Sequence, residues 1–232
     1  MSHHVLLNNV EHKDVRIVNR RGAAYGDDVM LATTFPSEFR DVQAHYPIVF
    51  RKTADGTGFE PVVLFGFQER ENLFLGPDGW DASYVPLAIE RQPFLIGITN
   101  GEPLVHVDMD SPRVSRADGE AIFLDYGGNT EFLENVNSTL LSIYQGVQST
   151  PAFIAALREQ ALLESFVIDI ELDDGSQNRL AGFYTINEDK LNALGSDALA
   201  SLHQAGYLQA IYMVLASMSH FRALIERKNR HA

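Results

Sequence analysis

The stretch that decides the fold is YPIVFRKTADGTGFEPVVLFGF, residues 46–67. Tyr46–Phe50 and Pro61–Phe67 are apolar runs rich in β-branched and aromatic residues, and Thr53–Gly58 between them is small, polar and glycine-rich. That pattern predicts two antiparallel strands joined by a longer hairpin loop. Working outward, Asp14–Val18 and Val29–Ala32 read as short strands, and Ser37 as the N-cap of a brief helix with Glu38 in its first turn. Phe74–Trp80 carries a Pro-Asp-Gly turn at 77–79, and Pro93–Ile98 and Leu104–Asp108 read as strands around Asn100-Gly101.

Beyond residue 115 the period changes. Phe132, Leu133, Val136, Leu140, Leu141 and Tyr144 recur at helical spacing, so Thr130–Tyr144 is expected to be a helix with one buried face. Thr150-Pro151 reads as the N-cap and first position of a second helix that continues through Phe153, Ile154 and Leu157. Ser165–Leu172 and Arg179–Ile186 flank Asp173-Asp174-Gly175 as another hairpin. A helical series then starts at Asn187 and breaks near Gly195 and Gly206. Tyr207–Arg227 reads as one long, nearly unbroken helix. The expected class is α+β, with an antiparallel, β-rich N-terminal half and a helical C-terminal portion. One domain over 1–232 is expected, with two lobes at about 1–115 and 116–232.

Composition narrows the function. The chain has 18 basic and 31 acidic residues, a net charge of −13. Such a surface repels phosphates and anionic headgroups, so nucleic acid is not expected as a partner, and no stretch approaches the roughly 18 uninterrupted apolar residues of a membrane helix, so stable membrane insertion is not expected. It has no cysteine, which removes disulfides and thiol catalysis and fits a reducing compartment. The N-terminal MSHHVLLNNVEHKDVRI lacks a basic segment followed by an apolar one, and the expected location is cytoplasmic. GTGFEP at 56–61 is neither a P-loop nor a dinucleotide fingerprint, and no Gly-x-Ser-x-Gly elbow is present. No cofactor, no metal and no catalytic residue are therefore assigned.

The block GFQERENLFLGPDGWDASYVPLAIERQPF, 66–94, concentrates aromatic, polar, glycine and proline residues around the only Trp. Tyr46, Asn72, Trp80, Tyr84 and Arg91 are the candidates for binding a ligand or a protein partner, because Trp and Tyr offer rigid area with a polar tip and Arg a planar set of donors. The competing reading makes Trp80 and Phe74 core anchors, with Asp78-Gly79 only turning the chain. His106 and Asp108 share one face of a strand, and with His203 or His220 would make a facial metal triad. The plainer reading is a polar strand end. The acidic clusters at Asp108–Asp110 and Asp173-Asp174 read as solvated turns, and His3-His4 as uninformative. The stripe Tyr207, Ile211, Tyr212, Leu215 and Met218 reads as a core face, with partner binding as its alternative.

Several unusual strings occur in one order: HYPIVF (45–50), ENLFLGPDGWDASYVP (71–86), RQPF (91–94), GEAIFLDYGGNT (119–130), TPAFIAAL (150–157) and GFYTINEDKLNAL (182–194). Over nearly its full length the chain resembles the SapC-like proteins of bacteria. The resemblance implies a noncatalytic accessory or adaptor protein in a pathway that modifies, exports or takes up a surface molecule. A protein partner is then expected. The alternative is a small-molecule-binding protein or enzyme of the same pathway, using a pocket near Trp80.

Overall fold

The computed structural model describes residues 3–231. In chain order the strands are β1 (His4–Leu6), β2 (Arg16–Ile17), β3 (Leu31–Thr33), β4 (Ile48–Lys52), β5 (Phe59–Leu64), β6 (Leu75–Gly76), β7 (Gly79–Trp80), β8 (Phe94–Thr99), β9 (Glu102–Asp108), β10 (Val114–Ser115), β11 (Glu120–Ala121), β12 (Leu163–Glu171) and β13 (Gln177–Ile186). The helices are α1 (Phe39–Val42), α2 (Leu87–Glu90), α3 (Glu131–Glu159), α4 (Glu188–Asn192), α5 (Ser196–Gln204), α6 (Tyr207–Ser217) and α7 (His220–His231). This is an α+β chain with antiparallel sheets and a helical C-terminal portion. It divides into two compact units built from interleaved segments. The first is Met1–Asp28, Leu75–Asp81 and Leu87–Gln145; the second is Val29–Phe74, Ala82–Pro86 and Gly146–Ala232.

The first unit holds two three-stranded sheets, ordered β1-β9-β8 and β10-β2-β11, and the small β6-β7 hairpin. The β8-β9 turn is Asn100-Gly101, both with positive φ (53° and 84°), the pairing that matches strand twist in a two-residue hairpin. Phe94 and Val107 face each other across the ladder. They join Val15, Ile17 and Ile122 in a core closed by Leu133, Val136 and Leu140 of α3, one helical stripe at i, i+3 and i+7. Gly119 has φ of 103°, and a Cβ there would collide with the backbone of Ile17, so no other residue fits where β2 and β11 meet.

Beneath the Gly22–Gly26 turn lies a buried ion network. Arg113 and Asp27 are 1% and 0% exposed. The Arg113 Nη2 donates to both Asp27 oxygens, at 2.7 and 2.8 Å. Its Nη1 donates to the carbonyls of Val18 and Arg20. Arg21 lies 3.6 Å from Asp27 and also pairs with Glu90. One guanidinium thus gathers β2, the following turn and the start of β10, none of which has enough strand length to hold itself.

The second unit is a five-stranded sheet in the order β12-β13-β4-β5-β3, covered by helices. Ile48, Val49 and Phe50 of β4 and Val62, Val63 and Leu64 of β5 are all fully buried. Consecutive burial means that both faces of these central strands are covered, which explains why 46–67 reads as an apolar run. The edge strand β12 instead alternates in exposure and carries an irregularity between Phe166 and Ile168, a device that discourages further strand pairing.

Three local expectations are corrected. Glu38, not Ser37, is the residue before α1, and no side chain caps that helix. The two helices expected on either side of Thr150-Pro151 are one 29-residue helix, α3, with Pro151 inside it. Proline removes the bond to the Val147 carbonyl, but Val147 is half exposed and water can serve that acceptor. The hydroxyls of Ser149 and Thr150 add bonds to the Gly146 carbonyl one residue earlier. Conversely, the expected single C-terminal helix is two. Ser217 is buried, donates to the Val214 carbonyl and accepts from the Ile48 amide at 2.9 Å, while Met218 and Ser219 close tighter i−3 backbone bonds that end α6. By length and composition Tyr207–Arg230 is apolar enough to cross a membrane. In this unit Ala210, Ile211, Val214, Phe221 and Leu224 of that stretch are buried.

Candidate functional site

The second unit contains a groove of about 460 Å³ between the Thr53–Gly58 loop, β3 and β5 and the C-terminal part of α3 from Val147 to Arg158. Phe59, Pro61, Val147, Pro151, Ile154 and Ala155 form its apolar wall. Five threonines also line it, and four donate their hydroxyls elsewhere. Thr34 bonds Glu38 at 2.6 Å, Thr53 and Thr57 bond Asp55, and Thr150 bonds the Gly146 carbonyl. With those hydrogens committed, their methyl groups add to the wall, so the groove is more apolar than its composition suggests. The Asp55 carboxylate is held down to about pKa 2 by the Thr53 hydroxyl first and by Thr57 next, which keeps the rim loop tied at neutral pH.

Two charged residues line the groove. Glu60 accepts from Arg51 Nε at 2.8 Å. Arg158 makes no ion pair among the described residues; its Nη1 lies 3.5 Å from the Thr57 carbonyl. The arrangement offers an apolar trough with one available guanidinium at its rim. Such a surface complements a slender amphipathic molecule ending in a carboxylate or another anion.

None of Tyr46, Asn72, Trp80, Tyr84 and Arg91 lines this groove. Tyr46, Asn72 and Tyr84 belong to the second unit, Trp80 and Arg91 to the first. Tyr46 is fully buried, with its ring against Phe65 and Phe74 and its hydroxyl donating to the Tyr84 carbonyl. The Tyr84 hydroxyl donates to Glu38, whose other oxygen takes the Thr34 hydroxyl. This chain of bonds therefore ends on a groove residue. Asn72 Oδ1 caps the Phe74 amide at 3.0 Å. Phe74 is a core residue, whereas Trp80 is only half-buried, opposite Leu75 in the β6-β7 hairpin. Arg91 lines a separate cleft in the first unit.

Burial, then the nearby Glu38 charge, raises the Tyr84 phenol above its ordinary value of 10.0. The protonated phenol is thus favoured in the folded state. Its stabilising share is complete below pH 10 and is lost as pH rises toward the higher folded value. Tyr84→Phe is expected to flatten the alkaline limb of unfolding free energy above pH 10, measured by urea titration. Superimposable limbs for the two proteins would show that the Tyr84–Glu38 bond does not persist in solution.

His106 sits over Gly97, with Nδ1 3.1 Å from the Leu104 carbonyl and Nε2 3.4 Å from Thr99. Asp108 faces His4 at 3.8 Å and caps the Asp110 amide. His4 is thus part of β1 and not the uninformative residue expected from sequence. His203 and His220 belong to the other unit. Among the described residues no group of three or more acidic or imidazole side chains is arranged to hold a metal. Ser83 lies 2.9 Å from His45 Nε2, and burial, then His220, lowers the His45 pKa from 6.5. That imidazole has no carboxylate partner among the described residues, so the orienting group of Ser–His–Asp chemistry is missing.

The chain belongs to the SapC family, whose model matches residues 7–224. No curated protein and no solved structure matches it.

Proposed function

We propose that this chain is a noncatalytic accessory protein of a bacterial surface-molecule pathway, and that it acts by holding a small amphipathic anion in the groove of the second unit. The observation that carries the reading is the groove itself: an apolar trough lined by committed hydroxyls and a paired carboxylate, with Arg158 alone offering a charge. Family membership supports the pathway, and a protein partner that delivers or receives the bound molecule follows from an accessory role.

Native mass spectrometry of untagged protein from its own cells is the first test, with a small added mass as the expected result. In vitro, decanoate serves as a probe by calorimetry. Ala155→Trp fills the groove from an exposed position and is expected to abolish binding. Arg158→Ala is expected to weaken it about threefold to tenfold, the share of one solvent-screened charge-assisted contact. Equal affinity in wild type and both variants would sink the site assignment.

A further inference from the structure

The first unit carries a second cleft, of about 510 Å³, that shares no residue with the groove. Its lining combines Arg91 with Asp108 and Asp110, beside the apolar surfaces of Tyr25, Pro93 and Leu95. These opposite charges face one cavity without meeting. No ion pair within 4.0 Å joins Arg91 to either carboxylate. Arg91 Nη1 donates to the Phe94 carbonyl; no other side-chain bond of this guanidinium is formed among the described residues. Burial of the guanidinium lowers its pKa, as withdrawal of a charge from water does.

In the same cleft, Asp108 is partly committed. One of its oxygens caps the Asp110 amide at 3.2 Å and the other faces His4. The exposed Asp110 carboxylate accepts no hydrogen bond from a described residue. The positions are fixed by regular structure. Arg91 follows directly on α2, with its amide bonded to the Leu87 carbonyl, and Asp108 ends β9, with its amide on the Pro93 carbonyl. A guanidinium and two carboxylates therefore line one cleft, with His4 and the apolar surfaces beside them, and no ion pair joins the guanidinium to either carboxylate.

We infer that this cleft binds a zwitterionic α-amino acid with an apolar or aromatic side chain. Its carboxylate pairs with Arg91, its ammonium with Asp108 and Asp110, and its side chain rests on Tyr25, Pro93 and Leu95. A simple anion is opposed by the two carboxylates, and a simple amine by the guanidinium. Only a molecule carrying both charges satisfies both kinds of group, and a planar guanidinium suits a carboxylate in particular.

The test is calorimetric titration of the full chain with L-phenylalanine, 3-phenylpropionate and phenethylamine, alongside inorganic phosphate and calcium. L-phenylalanine is expected to bind, and each single-charge analogue to bind at least tenfold more weakly. Arg91→Lys, which keeps a charge and a donor for Phe94, and Asp110→Asn, at an exposed position, are each expected to weaken L-phenylalanine at least fivefold. Comparable binding of either analogue, tighter binding of phosphate or calcium, unchanged affinity in Asp110→Asn, or no binding by the folded wild type would each overturn the inference. Decanoate titrated in parallel reads the groove alone, so failure at one site is distinguishable from failure at the other.

Discussion

Arg113→Met is expected to destabilise the first unit by about 3–5 kcal/mol, the cost of breaking a buried ion pair from one side. The variant takes from the 0% exposed Asp27 carboxyl the donor that reaches both its oxygens and strips the Val18 and Arg20 carbonyls of their donor. Lysine does not rescue, because one ammonium cannot grip both Asp27 oxygens and reach two carbonyls in the same plane. The double variant Arg113→Met, Asp27→Leu removes the buried carboxyl as well and is expected to recover part of the loss. Trp80 is the only Trp and belongs to this unit, so its fluorescence in a urea titration reads the relevant transition. A loss below about 1 kcal/mol would mean that Arg21 compensates and that the pair is not a keystone.

The hairpin at 46–67, the strands around Asn100-Gly101 and Asp173-Asp174-Gly175, and the breaks at Gly195 and Gly206 were all legible in sequence. In each case local turn chemistry and the burial pattern point the same way. What was not legible depended on contacts between distant residues. Thr150-Pro151 has the local features of a helix start, yet α3 runs through it because helix is already propagating from Glu131 and an exposed Val147 carbonyl tolerates the missing donor. Ser217 ends α6 by bonding the amide of Ile48, a partner 169 positions away.

The sites follow the same logic. The unusual composition of the 66–94 block supports two readings, a recognition surface or core anchors at Trp80 and Phe74. The fold gives Phe74 to the core, leaves Trp80 half-buried and divides the block between two units. The groove is assembled from a turn, two strands and a helix whose residues are individually ordinary. Its chemistry depends on where threonine hydroxyls point, which no spacing reveals. Arg91 stands out in sequence for its donors; the carboxylates that share its cleft come from a cluster that reads as a solvated turn.

Phe153→Ala should have the other large effect, a loss of about 3–5 kcal/mol in the second unit. The ring is 0% exposed and meets Phe39 at 6.0 Å, Tyr207 at 5.4 Å and Phe50 at 6.4 Å between centroids. Truncation removes the largest side chain that α3 contributes to this core and leaves a cavity bounded by rings anchored on α1, β4 and α6, which cannot all collapse inward. Far-UV circular dichroism in urea measures the loss, since the helices belong mostly to this unit. The consequence for function separates packing from binding. Phe153 adjoins Ile154 in the groove wall, so its removal should weaken decanoate binding together with stability. Ala155→Trp, one residue further and exposed, should block decanoate while moving stability by less than about 0.5 kcal/mol. Two substitutions two positions apart on one helix would then give opposite patterns, one costing fold and ligand together, the other ligand alone. If Phe153→Ala unfolds no more easily than wild type, α3 is not seated on the sheet and the groove it helps to line is not a formed site.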